Sequence, residues 1–141
     1  LSEDFLHMTT AHFALLEGAE DLIRYLAAKY PITVVTNGFV EVQYEKFEKS
    51  GLKDCFAHIV LSEEVGYQKP NPRIFEEALR MNGLDASEVV MIGDGFSSDI
   101  AGANTVGIDT IWLAQPDNIT DEQSKVATYI VTSLQEIKQI L

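Results

Sequence analysis

A chain of 141 residues, 46% of them hydrophobic, has the size of one globular domain and can bury a sizeable core. Ten Lys and Arg stand against 22 Asp and Glu, and the formal charge of −12 weighs against a broad basic face for nucleic acid or anionic lipid. The single cysteine, Cys55, leaves no internal disulfide and no multi-cysteine metal site, which fits a reducing compartment and makes the cytoplasm the expected location.

In chain order, the residues before Gly18 read as one amphipathic helix, with Phe5, Met8, His12, Leu15 and Leu16 on a face. Ala19, Leu22, Ile23, Leu26 and Ala27 repeat the helical spacing up to Pro31, and the β-branched run from Ile32 to Thr36 predicts a strand. Val40, Tyr44 and Phe47 predict a helix that stops at Gly51, and His58 to Ser62 a second strand. Asn71-Pro72 supplies an N-cap and a first-turn proline for a helix carrying Phe75, Ala78 and Leu79 and ending at Asn82-Gly83. Val89 to Gly93 and Thr110 to Leu113 are further strands, and Tyr129 to Val131 is a weaker one. Thr120 with Gln123 and Ser133 with Glu136 have the capping-box spacing that starts a helix. Short apolar strands alternating with helices predict a mostly parallel sheet in an α/β fold. None of the apolar runs is long enough to span a bilayer, and the acidic start Leu1-Ser2-Glu3-Asp4 is unlike a signal peptide.

Ligands of open α/β sheets sit beyond the carboxyl ends of the strands, so the polar residues there carry the chemistry. Thr36-Asn37-Gly38 offers a hydroxyl, an amide and a glycine backbone at a strand-to-helix turn, which suits an anion as well as it suits a plain helix cap. Lys69, before Pro70, is held in extended backbone and can be aimed, although a lone lysine is most often surface charge. Gly93-Asp94-Gly95-Phe96-Ser97-Ser98-Asp99 ends a strand in hard oxygen ligands suited to Mg²⁺; a turn and cap explain Asp99 but not Asp94. His7, His12 and His58 lack the spacing of a zinc site.

Thr36, Lys69-Pro70 and Gly93-Asp94 with Asp99, in that order, resemble motifs two, three and four of the haloacid dehalogenase-like (HAD) superfamily. The likeness runs through residues 18–141, and the stretches Thr36-Asn37-Gly38-Phe39, Ser62-Glu63-Glu64-Val65-Gly66 and Lys69-Pro70-Asn71-Pro72-Arg73-Ile74-Phe75 look most like the pyrimidine 5′-nucleotidase branch. The resemblance implies a Rossmann-like core and a Mg²⁺-dependent phosphate monoester hydrolase working through an aspartyl-phosphate on nucleoside monophosphates. It assigns phosphate binding to Thr36, Asn37, Gly38 and Lys69, and metal binding to Asp94. Asp99 acts through water on the metal or by holding Lys69, so Thr36, Lys69 and Asp99 form the catalytic set. Gly95 departs from the Ser or Thr that many members carry there.

The two aspartates of motif one have no counterpart, because Glu3-Asp4 and Glu20-Asp21 lie in helical patterns without a preceding apolar strand. The expectation is therefore an incomplete core at residues 18–141 whose first, central strand is missing, and a helix at residues 1–17 left from an inserted helical cap. A start at Leu1 rather than Met agrees with a piece of a longer protein. The nucleophile then lies upstream, on a companion N-terminal segment of the same protein, and the chain alone is inactive and poorly stable. Other phosphatases or phosphomutases of the superfamily acting on a sugar phosphate or phosphoglycolate, a haloacid dehalogenase, and a non-catalytic phosphate-binding remnant are the competing readings. Against the dehalogenase, Asp94 would repel a carboxylate substrate.

Overall fold

The computed structural model describes residues 6–38, 45–46 and 48–141; Leu1 to Phe5 and the predicted helix at Val40, Tyr44 and Phe47 lie outside the described residues, wholly or at the residues that define them. Six strands, β1 (Leu6–Thr9), β2 (Ile32–Thr36), β3 (His58–Leu61), β4 (Val89–Gly93), β5 (Asp109–Leu113) and β6 (Tyr129–Val131), form one sheet. Their order is β3-β2-β1-β4-β5-β6, and every neighbouring pair is parallel. A parallel sheet buries both faces, and alternate residues of each strand serve the two. Ile32, Val34, Val90 and Ile92 face a core filled by Phe13, Leu22, Ile23, Leu26 and Ile137. Val35, Val60, Val89 and Met91 face Ile74, Phe75, Ala78 and Ala103 on the other side.

The helices that cover the sheet start where their caps place them. Helix α1 is the short turn Ala11–Ala14, and α2 (Ala19–Ala27) buries Leu22, Ile23 and Leu26. The short α3 (Ser62–Val65) follows β3 directly, so the predicted strand ends one residue early and Ser62 opens a helix. In α4 (Pro72–Asn82) the Asn71 side chain accepts from the Arg73 N–H, and Pro72 loses nothing because a first-turn N–H has no intrahelical partner. The chain then continues through α5 (Ala101–Asn104), α6 (Asp121–Val126) and α7 (Leu134–Ile140). The Thr120–Gln123 capping box is complete. The Ser133 hydroxyl caps α7, but Glu136 reaches back to Thr132, not to the Ser133 N–H. No helix among the described residues is long and apolar enough to cross a membrane.

Two expectations are corrected at the amino-terminal end. Residues 6–9 are a strand and not part of a helix over residues 1–17, and that strand fills the central position expected to be missing. The cause is tertiary: β2 and β4 each present a row of backbone donors and acceptors toward the gap, and only an extended segment satisfies both rows. His7 pairs with Ile32 and Val90, Met8 with Thr33 and Met91, Thr9 with Val34 and Ile92. The helical spacing of Met8 and Leu15 is a local preference, overridden by a two-sided ladder.

The substitution of these residues into a sheet centre has a cost. The side chains of His7 and Thr9 are 1% exposed, and both ring nitrogens of His7 and the Thr9 hydroxyl find no hydrogen-bond partner among the described residues. Burial first, then the positive charge of Lys29, lowers the His7 pKa from 6.5 to about 4, with the ring edge-on to Tyr30 at 4.4 Å between centroids. A histidine held neutral in the folded state and free to protonate when unfolded contributes stability that is complete above about pH 6.5 and lost as the pH falls toward 4. A lowering of this size corresponds to about 3 kcal/mol over that window. Urea midpoints of the 141-residue chain measured from pH 7.5 to 4 should therefore fall more steeply than those of His7→Val. Parallel slopes in the two proteins would place the acid sensitivity elsewhere.

Candidate active site

From β1 the chain proceeds outward to β2 and β3 on one side and to β4, β5 and β6 on the other, so the order reverses between β1 and β4. At such a reversal the loops leave opposite faces of the sheet and open a crevice beyond the carboxyl ends. Thr9 is level with both Val34 and Ile92, which puts Thr36 and Asp94, each two residues further on, at the same height. One strand separates them, a gap of about 10 Å at ordinary strand spacing. That width accepts a tetrahedral anion between them.

Each sequence-predicted residue lies at this edge. The Thr36 hydroxyl, 5% exposed as a residue, accepts from the Gly38 N–H at 3.1 Å and lies 3.0 Å from the Gly38 carbonyl. The phosphate-binding role expected of Asn37 belongs to its backbone, and its side chain is engaged elsewhere. Its Oδ1 accepts from the Lys69 N–H at 2.7 Å and its Nδ2 donates to the Lys69 carbonyl at 3.3 Å. The Asn37 carbonyl in turn accepts from the Ser62 hydroxyl at 3.1 Å, tying the end of β2 to the end of β3. The sequence reading ends a strand at Ser62 and gives its hydroxyl no role, because nothing local points it at a residue 25 positions away.

Lys69 Nζ lies 2.8 Å from Asp99 Oδ1, with the two side chains only 9% and 4% exposed. The Asp99 carboxylate also accepts from the Ser98 hydroxyl at 3.2 Å and, through Oδ2, from the Gly95 N–H at 3.2 Å. Asp99 thus holds the lysine, one of the two roles open to it from sequence. A π-helical turn, Phe96–Ile100, in which the Ile100 N–H reaches the Gly95 carbonyl, brings this carboxylate back over the strand end. The approach is so close that a Cβ on Gly93 would stand 2.8 Å from Asp99 Oδ2, and one on Gly95 would stand 2.7 Å from Ser98 Oγ and 3.0 Å from Asp99 Oδ2. Gly95 therefore makes room for the turn where a Ser or Thr was the family expectation.

Asp94, half-buried, follows β4 directly. Its carbonyl accepts from the Trp112 indole N–H at 3.3 Å, and Trp112 packs against Phe96 at 4.9 Å between ring centroids. Trp112 lies in the apolar run Thr110 to Leu113, and no sequence signal separates a core aromatic from one that also braces the site. Among the described residues no three His, Cys, Asp or Glu side chains cluster as a ready metal cage. Mg²⁺ does not require one: it takes one or two carboxylates and fills its octahedron with water and phosphate oxygens. Asp94, a hard carboxylate on a braced backbone, fits that demand. The Asp99 carboxylate is committed to Lys69, Ser98 and Gly95.

The end of β1 carries hydroxyls where an attacking carboxylate would be needed. Thr9 is followed by Thr10, whose Oγ1 accepts from the Phe13 N–H at 2.9 Å. The described residues thus bring together a hydroxyl, a cation and a metal-competent carboxylate, an arrangement that can hold a phosphate and neutralise its charge.

The buried ion pair sets an asymmetric expectation. Asp99→Ala strands an ammonium in a site 9% exposed and should destabilise the chain by about 3 kcal/mol. Lys69→Met should cost less, because the carboxylate keeps the Gly95 and Ser98 donors. Chemical denaturation of both variants near pH 7 checks the order, and a larger loss in Lys69→Met would contradict it.

Known proteins resemble this chain in sequence and in fold. The chain is 38% identical over 147 aligned positions to the pyrimidine 5′-nucleotidase YjjG of Escherichia coli strain K12, covering 100% of this chain and 63% of YjjG. It is 35% identical over 149 positions to the glyceraldehyde 3-phosphate phosphatase of Methanothermobacter thermautotrophicus, covering 96% of this chain and 65% of that protein. The crystal structure of the HAD-hydrolase YfnB from Bacillus subtilis bound to magnesium superposes with a TM-score of 0.76 at 35% identity, over 89% of this chain and 54% of YfnB. The chain therefore spans between half and two thirds of the length of these relatives. Residues 5–107 match the family described as haloacid dehalogenase-like hydrolase, and with more than half of its length in that match this chain belongs to the haloacid dehalogenase-like hydrolases.

Proposed function

We propose that this chain is the core of a Mg²⁺-dependent phosphate monoester hydrolase that acts on nucleoside monophosphates through an aspartyl-phosphate. The observation that carries the reading is the Lys69 ammonium, buried against Asp99 at the strand edge that also bears Thr36 and Asp94. In this reading Thr36, the Asn37 and Gly38 backbone and Lys69 bind the phosphate, and Thr36 and Lys69 orient it for attack. Asp99 keeps Lys69 in place, and Asp94 holds the metal. Bound Mg²⁺ would supply positive charge against the phosphate oxygens.

The chemistry needs a carboxylate oxygen to attack phosphorus while the ester P–O bond breaks and a second acid protonates the departing alkoxide; water then cleaves the acyl phosphate. Thr9 and Thr10 supply no such carboxylate, so we assign the nucleophile to a strand upstream that takes the central slot in place of residues 6–9. The buried side chains of His7 and Thr9, without a hydrogen-bond partner among the described residues, support this, because they make β1 a costly occupant. On this reading the 141-residue chain by itself turns over no substrate. The nucleotide assignment leans on the likeness to YjjG over the whole chain; the glyceraldehyde 3-phosphate phosphatase supports a second reading with a triose phosphate in the same phosphate pocket.

The test is a phosphate-release screen of the protein extended upstream, against nucleoside monophosphates, triose and sugar phosphates and phosphoglycolate, with Mg²⁺ or with chelator. Nucleoside monophosphates should give the highest kcat/KM, chelator should abolish turnover, and Asp94→Asn should raise the Mg²⁺ requirement and lower kcat by about two orders of magnitude. Full turnover in chelator would refute the metal, and Mg²⁺-dependent turnover by residues 1–141 alone would refute the upstream nucleophile.

A further inference from the structure

Asn37 stands in a position read as part of the phosphate cradle, yet its side chain is spent on the main chain of a residue 32 positions away. Its Oδ1 and Nδ2 engage the N–H and the carbonyl of Lys69, at 2.7 and 3.3 Å. This is the pairing one residue of an antiparallel ladder offers another, performed by a side-chain amide. Lys69 is consequently fixed at both ends: its backbone by Asn37, its ammonium by Asp99 at 2.8 Å. Asn37 is itself fixed, since the Ser62 hydroxyl donates to its carbonyl at 3.1 Å. A lysine has four rotatable side-chain bonds, and anchoring the ammonium alone would leave the loop under it free to shift. Both anchors are needed to hold the charge at one place.

We infer that the Asn37 side chain has a positioning role: it sets where the Lys69 ammonium stands and influences phosphate only through that lysine. The inference rests on the phosphate-site reading for its consequence and on the two Asn37–Lys69 hydrogen bonds for its substance. It separates Asn37 from Thr36, its neighbour in sequence, whose side chain among the described residues bonds only within its own turn. Because Asn37 is exposed, its replacement leaves the core untouched.

Two measurements on the 141-residue chain test it. Amide hydrogen exchange at Lys69 should quicken about tenfold in Asn37→Ala, the factor that the lost pair of bonds is worth, and Asn37→Asp, which keeps an oxygen facing the Lys69 N–H, should restore the protection. Unchanged exchange in Asn37→Ala would overturn the proposal. In the second, inorganic phosphate is titrated in Mg²⁺ into the parent, Asn37→Ala, Lys69→Met and the double variant. Asn37→Ala should weaken binding about tenfold in the parent and not at all in the Lys69→Met background. Equal losses in both backgrounds would mean that Asn37 touches phosphate directly, and would also overturn it. If no form binds phosphate, the phosphate-site reading fails, and the exchange rates alone decide whether Asn37 positions Lys69.

Discussion

A salt bridge withdrawn from water organises this site. Lys69 and Asp99 are almost fully covered, and burying two charges costs several kcal/mol per ion unless the geometry is close and the remaining lone pairs are met. Much of the local structure serves that condition. Gly93 and Gly95 lack side chains because Asp99 lies against them, the π-helical turn carries the carboxylate back over the strand, and Ser98 and the Gly95 N–H take its remaining lone pairs. On the other partner, Asn37 grips the backbone of Lys69. A single ion pair thereby links the loops after β2, β3 and β4 into one unit.

The same unit bears on how an acidic chain would hold the proposed phosphate ligand. With 22 Asp and Glu against 10 Lys and Arg, the long-range field repels phosphate. On the proposed reading attraction comes from short range, from the desolvated Lys69 ammonium, from backbone N–H groups at strand ends and from a metal on Asp94. Low local dielectric strengthens each of these, so few groups suffice where a solvated basic face would need many.

Most of this was legible in the chain. Five of the six strands and the helices at Ala19 and Asn71-Pro72 announce themselves by apolar period and by caps, which are local properties. Thr36, Lys69, Asp94 and Asp99 stand out because each follows an apolar run, and a parallel sheet sends all such ends to one edge. What the sequence hid is non-local. Leu6–Thr9 has a helical spacing and becomes a strand only because β2 and β4 both need a partner. The Asn37–Lys69 and Trp112–Asp94 bonds join residues 32 and 18 apart, and no spacing rule finds them. His7 and Thr9, polar and without a hydrogen-bond partner among the described residues, mark a place in the sheet centre where local preference and tertiary demand disagree.

The central claim is that a tetrahedral anion is held between Thr36 and Lys69, with a divalent cation on Asp94 beside it. Crystals of the chain grown with Mg²⁺ and tungstate, a heavy analogue of phosphate, would locate the anion directly by its anomalous scattering. The account predicts one strong peak within hydrogen-bond distance of Thr36 Oγ1 and Lys69 Nζ, and Mg²⁺ bound to an Asp94 carboxylate oxygen. Tungstate bound at another edge of the sheet, or a cation that leaves Asp94 untouched, would contradict it.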